Sequence, residues 1–245
     1  MNLPQNGTAA NRAAPVTPLS TAWVVVAMLL PVALLNYLDR QMLAAMKFSV
    51  MADIKDIATD ANWGRMLGQF KWVYAFLSPV GGYIADRFSR RATICTSLFV
   101  WSIVTWVTGH VTSYSGLLVT RSLMGISEAF YIPAALALIS EYHQGPTRSK
   151  AVGFHQMAIY LGQIAGGFSG YVADAPSLGW RFAFTACGIA GAVYALPLAL
   201  MLRDAPKSAA VSDSKSSVGA TLSSLLTNVS FLLLVLYFTF PALAG

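Results

Sequence analysis

Long apolar runs separated by short polar segments dominate this sequence. Six runs have about 20 residues or more, the length that a helix needs to cross the hydrocarbon core of a bilayer. They cover residues 21–46, 63–85, 91–109, 114–140, 151–173 and 181–202, and a seventh begins near Leu222. The pattern predicts an all-α integral membrane protein.

The polar segments divide the chain into four predicted parts. Residues 1–20, rich in Pro, Asn, Thr and Ala, predict a disordered cytoplasmic tail, and residues 21–202 form a six-helix transmembrane N-terminal domain. Residues 203–220 are small, polar and charged, which is typical of a flexible cytoplasmic linker. Residues 221–245 are then the start of a seventh transmembrane helix, and the second half of the protein, after this six-helix domain, is expected to be absent.

Composition and charge narrow the class of protein. Apolar residues make up 56% of the chain and charged residues only 11%, less than half the roughly 25% of a soluble domain. The net charge of +6 does not indicate nucleic-acid binding, because the basic residues lie in short clusters between the apolar runs. We therefore expect the protein to be embedded in a lipid bilayer rather than bound to nucleic acid.

The loop charges predict an orientation. With the N-terminus inside, nine lysines and arginines fall in cytoplasmic segments and four on the opposite side, as the positive-inside rule requires. The inside set is Arg12, Arg87, Arg90, Arg91, Arg148, Lys150, Arg203, Lys207 and Lys215, and the outside set is Lys47, Lys55, Arg65 and Arg181. We expect a bacterial inner membrane protein with a cytoplasmic N-terminus.

A weak internal repeat relates the two halves of the six-helix domain. The segment GGYIAD at 81–86 resembles SGYVAD at 169–174, an offset of 88 residues. The same offset places Arg40 opposite Glu128. Because each unit has three helices, an odd number, the two units must cross the membrane in opposite directions. The sequence thus predicts 3+3 inverted repeats, an arrangement of secondary transporters whose substrate site lies between the repeats.

The loop between the second and third runs carries a family signature. The residues G-Y-I-A-D-R-F-S-R-R at 82–91 resemble the major facilitator superfamily motif Gly-x-Leu-Ala-Asp-Arg-x-Gly-Arg-Arg. In that family, the aspartate and the basic residues of this loop hold the two halves of the transporter together in the outward-open state. The resemblance implies gating roles for Gly82, Asp86, Arg87 and Arg90.

Further motifs agree with this resemblance. Arg121 and Gly125 match the arginine and glycine of the fourth-helix motif of the family. Glycines of the fifth helix follow the spacing of the antiporter motif, but Gly167 and Tyr171 depart from it, so antiport by that route is in doubt. Small residues at this spacing also allow close helix packing, so we assign structural roles to Arg121, Gly125, Gly162, Gly166 and Gly170.

Two segments point to a branch of the superfamily. NYLDRQ at 36–41 and RSLMGISEAFYIP at 121–133 resemble the spinster-like branch, which carries an Asp-Arg pair on the first helix and a glutamate on the fourth. The neighbouring branch of organic anion and sugar-acid symporters has a similar sequence in the first helix. The first resemblance implies an amphipathic small-molecule substrate, and the second implies an organic anion.

Five ionisable residues interrupt the apolar runs, and each costs about 2.5–3.5 kcal/mol at the centre of a membrane helix unless it is paired or hydrated. They are Asp39, Arg40, Lys71, Arg121 and Glu128. Helical spacing places several polar residues on common faces and predicts a central cavity. Its predicted lining is Asn36, Asp39, Arg40, Glu128, Tyr131, Tyr160 and Gln163, whereas His155 falls on a different face and is assigned a structural role.

These residues lead to a hypothesis about proton coupling. A nearby guanidinium favours the charged form of a carboxylate and burial disfavours it, so movement of Arg40 would change how tightly Asp39 or Glu128 holds a proton. Arg40 is also a predicted anchor for an anionic substrate, with Asn36, Tyr131, Tyr160 and Gln163 around it. The alternative is a static ion pair that fixes the first and fourth helices.

The predicted function is secondary active transport of a small molecule, coupled to protons, by alternating access. No nucleotide-binding loop, zinc motif or serine–histidine arrangement is present in the sequence, so neither an enzyme nor a cofactor is expected. Since one six-helix unit forms half of a transport pathway, a second half in cis or a second copy is an expected partner. A non-transporting half-size protein acting in sensing or assembly is the alternative.

Overall fold

The computed structural model describes residues 18–206 and 218–244, and the predicted tail therefore lies almost wholly outside the described residues. All of the regular structure in these ranges is helical. The helices of the first range are α1 (Leu19–Ala45), α2 (Lys47–Asp53), α3 (Asp60–Arg87), α4 (Arg90–Thr108), α5 (Tyr114–Glu128), α6 (Tyr131–Tyr142), α7 (Arg148–Gly167), α8 (Ser169–Asp174) and α9 (Gly179–Met201), with a 3-10 turn at Lys55–Ile57. The second range holds α10 (Val218–Thr227) and α11 (Val229–Ala244).

The six predicted membrane segments correspond to α1, α3, α4, α5 with α6, α7 with α8, and α9. Within the described residues, four helical stretches are long and apolar enough to cross a membrane: Leu19–Ala45, Arg90–Thr108, Tyr114–Tyr142 and Gly179–Met201. The second and fifth segments are more polar. They carry Lys71 in α3 and Gln156 with Gln163 in α7, side chains that a lipid-facing helix would not favour.

The connecting loops of residues 18–206 gather at two opposite ends of the helices. At one end, the Arg181 Nε donates to the Asp53 carboxylate at 2.9 Å and its Nη1 donates to the Gly109 carbonyl at 3.1 Å. At the other end, the Ser89 hydroxyl donates to the Asp204 carboxylate at 2.5 Å. The chain therefore returns to the same two ends with every segment, as alternating membrane crossings require.

Helix packing in this range follows the predicted repeat. The most extensive contacts join α1 to α7 and α4 to α9, and both α3 and α4 pack against α5 and α6. Under the 88-residue offset α1 corresponds to α5, α2 to α6, α3 to α7 and α8, and α4 to α9. The pair α1–α7 thus maps onto the pair α3–α5, and α4–α9 maps onto itself, as a twofold relation between two three-helix units predicts. The contact between α4 and α5 is more extensive than its counterpart between α9 and α1, so the relation is approximate.

Glycines allow the closest helix approach. A Cβ added at Gly166 of α7 would lie 2.6 Å from the Leu38 carbonyl oxygen of α1, and one at Gly162 would overlap the Leu34 carbonyl. Any larger residue would push α7 away from α1. The fifth-helix glycines therefore act in packing, and Gly170 approaches the Ala45 carbonyl in the same way.

Two predicted helices are interrupted. The fourth run was expected to be continuous, but α5 ends at Glu128 and α6 begins at Tyr131. Pro133 explains the break, because it has no N–H to bond the carbonyl four residues earlier. The seventh helix was expected to begin near Leu222, yet α10 begins at Val218 and ends before Asn228. The Asn228 side chain accepts a hydrogen bond from the Phe231 N–H at 3.1 Å and so caps α11.

Candidate functional site

A buried ion pair joins the two repeats at the predicted site. The Arg40 Nε of α1 donates to the Glu128 Oε2 at the end of α5 at 2.6 Å. Glu128 is completely buried, whereas 18% of the Arg40 side chain is exposed. The two partners are 88 residues apart, so the ion pair joins equivalent positions of the two units. A charge-assisted hydrogen bond away from bulk water is among the stronger side-chain interactions.

Three aromatic rings surround the Arg40 guanidinium. Its central carbon lies 4.7 Å from the ring centroid of Tyr37, 4.9 Å from that of Phe70 and 4.5 Å from that of Tyr74. Cation–π attraction stabilises a guanidinium in such surroundings more strongly as water is removed. We call these three rings the aromatic cage.

A second cluster of charges lies beside the ion pair. The Thr105 hydroxyl of α4 donates to the Asp39 carboxylate, and only 2% of the Asp39 surface is exposed. Arg121 of α5 is equally buried and interacts electrostatically with Asp39 and Glu128. Its Nε and one terminal nitrogen form no hydrogen bond within the described residues. The cluster thus has polar atoms free to form new hydrogen bonds.

Two further predicted lining residues, Asn36 and Tyr131, are buried like Asp39 and Glu128. Asn36 is fully buried and lies beside Glu128, although its amide forms no hydrogen bond of ordinary geometry among the described residues. Tyr131 was expected to line the cavity, but it is fully buried and its hydroxyl lies 3.0 Å from the His155 Nε2. Tyr131 also packs edge-on against Trp101 of α4 at a ring-centroid distance of 5.4 Å, so it lies with His155 in the helix core.

The remaining lining residues lie towards the accessible side of the site. Tyr160 of α7 is 56% exposed, and Gln163, one turn further on, is half-buried. Tyr160 lies in the neighbourhood of Tyr37 of the aromatic cage. Residues of α1, α3 and α7 therefore lie near Arg40, of whose side chain 18% is exposed.

The signature loop lies at one end of the helices. Arg90 pairs with Glu141 of α6 at 2.9 Å and donates to the Ala85 carbonyl at 2.9 Å. The Arg87 guanidinium stacks over the Tyr83 ring at 4.5 Å, and Gly82 lies against Pro133. The Asp86 side chain lies outside the described part of the structure, so its predicted gating role stays a prediction.

Gly125 has a structural role next to the cage. A Cβ at this position would lie 2.9 Å from the Phe70 carbonyl oxygen and 3.1 Å from the Val73 Cβ. The absence of a side chain lets α3 approach α5 closely, and this approach brings the Phe70 ring over Arg40.

Residues 29–245 match the family model of the Major Facilitator Superfamily. The chain belongs to the Major Facilitator Superfamily. This membership agrees with the inverted-repeat packing and with the charged site between the repeats. It makes the chain an integral membrane protein.

Spinster proteins are among the similar members of this superfamily. The chain is 31% identical over 226 residues to protein spinster homolog 1 of Homo sapiens, covering 88% of this chain and 42% of the relative. It also resembles the crystal structure of a bacterial homologue of the human lysosomal transporter spinster, in an inward-facing and unoccupied conformation. That likeness has a TM-score of 0.71 and 25% identity, and it covers 81% of this chain and 46% of the other.

A sugar-acid transporter is a further relative. The chain is 30% identical over 184 residues to a probable galactarate/D-glucarate transporter of Bacillus subtilis (strain 168), covering 72% of this chain and 40% of the relative. The chain spans less than half the length of each of these relatives. The relatives of this superfamily are transporters and not enzymes.

Four residues of the site were not predicted from the sequence. They are the cage residue Tyr37, the cage pair Phe70 and Tyr74, and the Asp39 partner Thr105. Tyr37 precedes Arg40 by three residues and so shares its helix face, a signal that was available. The contacts of Phe70, Tyr74 and Thr105 depend on the rotation of α3 and α4 about their axes, for which the sequence carries no local signal.

Proposed function

We propose that this chain supplies the coupling site of a proton-coupled secondary transporter for organic anions. The observation that carries the proposal is the Arg40–Glu128 ion pair, buried at one end and partly accessible at the other. Glu128 is the proton carrier in this proposal, Arg40 anchors the anion, and Asp39 is the second carboxylate of the site.

The coupling works through competition for Arg40. When a proton binds the Glu128 carboxylate, the glutamate loses its charge and its attraction for the guanidinium weakens. Arg40 is then free to bind an anion, so proton and anion enter the site together. Release of the proton on the other side restores the ion pair and displaces the anion. The cage stabilises the guanidinium in both states, because cation–π attraction does not depend on Glu128.

Charge supports an anionic substrate. In the described residues the site contains the cations Arg40 and Arg121 and the carboxylates Asp39 and Glu128. Protonation of Glu128 leaves one uncompensated positive charge, which an anion would neutralise. The transporter of Bacillus subtilis that resembles this chain is named for two sugar acids, so D-glucarate is a suitable first substrate to test.

The loop that carries Arg87 and Arg90 is the proposed gate. Arg90 links α3 and α4 to Glu141 of α6 through its hydrogen bond and ion pair. Rearrangement of this contact would open or close one end of the helices, and Asp86 is the proposed further member of the gate. We also propose a cytoplasmic N-terminus in a bacterial inner membrane. A second half in cis, or a second copy, would complete the pathway.

The test is uptake of D-glucarate by the full-length native protein in proteoliposomes. Glu128→Gln keeps the shape of the side chain but cannot release a proton. We expect an imposed proton gradient to drive accumulation by the wild type and not by the variant, a loss of roughly tenfold to a hundredfold. Exchange of internal for external D-glucarate needs no net proton movement and should persist in the variant.

Asp60→Asn is the control, because Asp60 pairs with Lys47 at 2.8 Å at a helix end and is 81% exposed. It should leave proton-driven uptake unchanged. Normal proton-driven uptake by Glu128→Gln would refute the carrier role. Loss of folded protein in this variant, with no selective loss of coupling, would favour a static ion pair. A wild type that carries no anion would favour the sensing or assembly alternative.

A further inference from the structure

Lys71 is a cation that the coupling mechanism does not use. It lies on the exposed surface of α3, and it forms no ion pair or hydrogen bond with any residue in 18–206 or 218–244. The other cations near the site have counterions, since Arg40 pairs with Glu128 and Arg121 faces Asp39. Lys71 therefore adds an uncompensated positive charge to this region.

The lysine cannot reach an end of its helix. Eleven residues separate it from the start of α3 at Asp60 and sixteen from the end at Arg87, about 16 Å and about 24 Å of helix. A lysine near a helix end can extend its side chain towards the membrane interface and so place its ammonium group in water, but a lysine in mid-helix cannot. In mid-helix the charge requires water or an anion, because it costs about 2.5–3.5 kcal/mol in hydrocarbon.

Lys71 lies directly beside the aromatic cage. It follows Phe70 in the sequence and precedes Tyr74 by three residues, and both rings contact the Arg40 guanidinium. Residues three apart share a helix face, with Cβ atoms about 5–6 Å apart. Lys71 and Tyr74 thus lie next to each other, and Lys71 is on the exposed side whereas Arg40 is largely enclosed.

We infer that Lys71 is a second anion anchor and that the site prefers substrates with two separated negative groups. One group binds Arg40 within the cage and the other binds the Lys71 ammonium at the exposed side of α3. The inference rests on the proposed function, since it requires Arg40 to bind an anion. A substrate with one negative group would leave Lys71 without a counterion.

The test compares two acids that share a six-carbon skeleton. D-glucarate carries a carboxylate at each end, and D-gluconate carries one. Titration calorimetry of the full-length native protein should give a tighter dissociation constant for D-glucarate. In Lys71→Gln we expect affinity for D-glucarate to fall about tenfold or more, the effect of losing one charged contact. Affinity for D-gluconate should change less than about twofold by the same reasoning, and Lys71→Arg should keep the preference.

Lys47→Gln is the matched control, because Lys47 already has a partner in Asp60 at 2.8 Å. It should leave both affinities unchanged. Equal affinities of the wild type for the two acids, or a preference that survives Lys71→Gln, would overturn the role of Lys71 alone. Such a result would indicate that a carboxylate elsewhere in the protein or a lipid phosphate neutralises Lys71. If neither acid binds the wild type, the anion substrate class itself is wrong and the inference fails with it.

Discussion

At the scale of single residues, the site contains two contacts of different kinds. We expect the ion pair between Arg40 and Glu128 to break during transport and the contact between Asp39 and Thr105 to persist. Arg40 is partly exposed and held by aromatic rings, so its ion pair with Glu128 can break without leaving the cation unsupported. Asp39 is instead held by the Thr105 hydroxyl, whose single proton is shared between the Asp39 carboxylate and the Trp101 carbonyl of its own helix. We therefore expect Thr105 to stabilise the folded protein through Asp39.

Thr105→Val keeps the shape of the side chain and removes the hydroxyl. The buried Asp39 carboxylate loses its hydrogen bond, so we expect the free energy of unfolding to fall by about 1.5–3 kcal/mol. Thr108→Val is the control, because Thr108 is equally buried on α4 but donates only to the Val104 carbonyl at 2.8 Å. Thermal unfolding in detergent compares the two variants. An equal loss in both would show that the contact with Asp39 adds nothing.

The central pair was predictable from the sequence, and the cage was not. The 88-residue offset placed Arg40 opposite Glu128, and the cost of buried charges required partners for both. Two of the cage rings belong to α3 and reach Arg40 only because of the way α1 and α3 pack. The burial of Tyr131 was not predicted for a related reason, since its contacts with Trp101 of α4 and His155 of α7 depend on how these helices pack.

At the scale of helices, the contact between α1 and α7 sets the position of the site. Gly166 lies against the Leu38 carbonyl oxygen, one residue before Asp39, so the spacing of these helices determines where the coupling residues lie. An added methyl group at Gly166 has no room, whereas one at Gly167 meets nothing within 4 Å. The two neighbouring glycines provide a matched pair.

We expect Gly166→Ala to lower the free energy of unfolding by about 1–3 kcal/mol, because the new Cβ would force α7 away from α1. Gly167→Ala should be neutral or slightly stabilising, since alanine favours helix by up to about 1 kcal/mol over glycine. Thermal unfolding of both variants in detergent measures the difference. Equal unfolding temperatures would contradict close packing at Gly166.

Long apolar runs were sufficient to predict where the helices are, because each run must bury or embed its side chains. The interruptions were harder to predict. Pro133 was a visible signal for the break between α5 and α6, and Asn228 for the start of α11. Both residues also occur within continuous helices, so the sequence alone did not decide between a kink and a break.

At the scale of the molecule, the two ends of the helices differ in charge. The end that holds Asp53 and Arg181 carries similar numbers of acidic and basic residues. The signature loop brings three arginines to the other end, namely Arg87, Arg90 and Arg91. This asymmetry supports a cytoplasmic position for the signature loop.

Cysteine labelling tests the orientation. Once Cys95 and Cys187 are replaced, a cysteine at Lys55 should react with a membrane-impermeant maleimide added to the periplasmic side. A cysteine at Gln144, at the opposite end, should react only after the membrane is permeabilised. Both positions are exposed. The reverse labelling pattern would contradict the proposed orientation and leave the coupling site unaffected.

The central claim is that Glu128 takes up a proton when an anion binds Arg40. Infrared difference spectroscopy on the full-length native protein measures this event directly, since a protonated carboxyl group has its own C=O stretching band. We predict that D-glucarate induces such a band in the wild type and not in Glu128→Gln. Binding of D-glucarate without a protonated-carboxyl band, or with the same band in both proteins, would contradict the account.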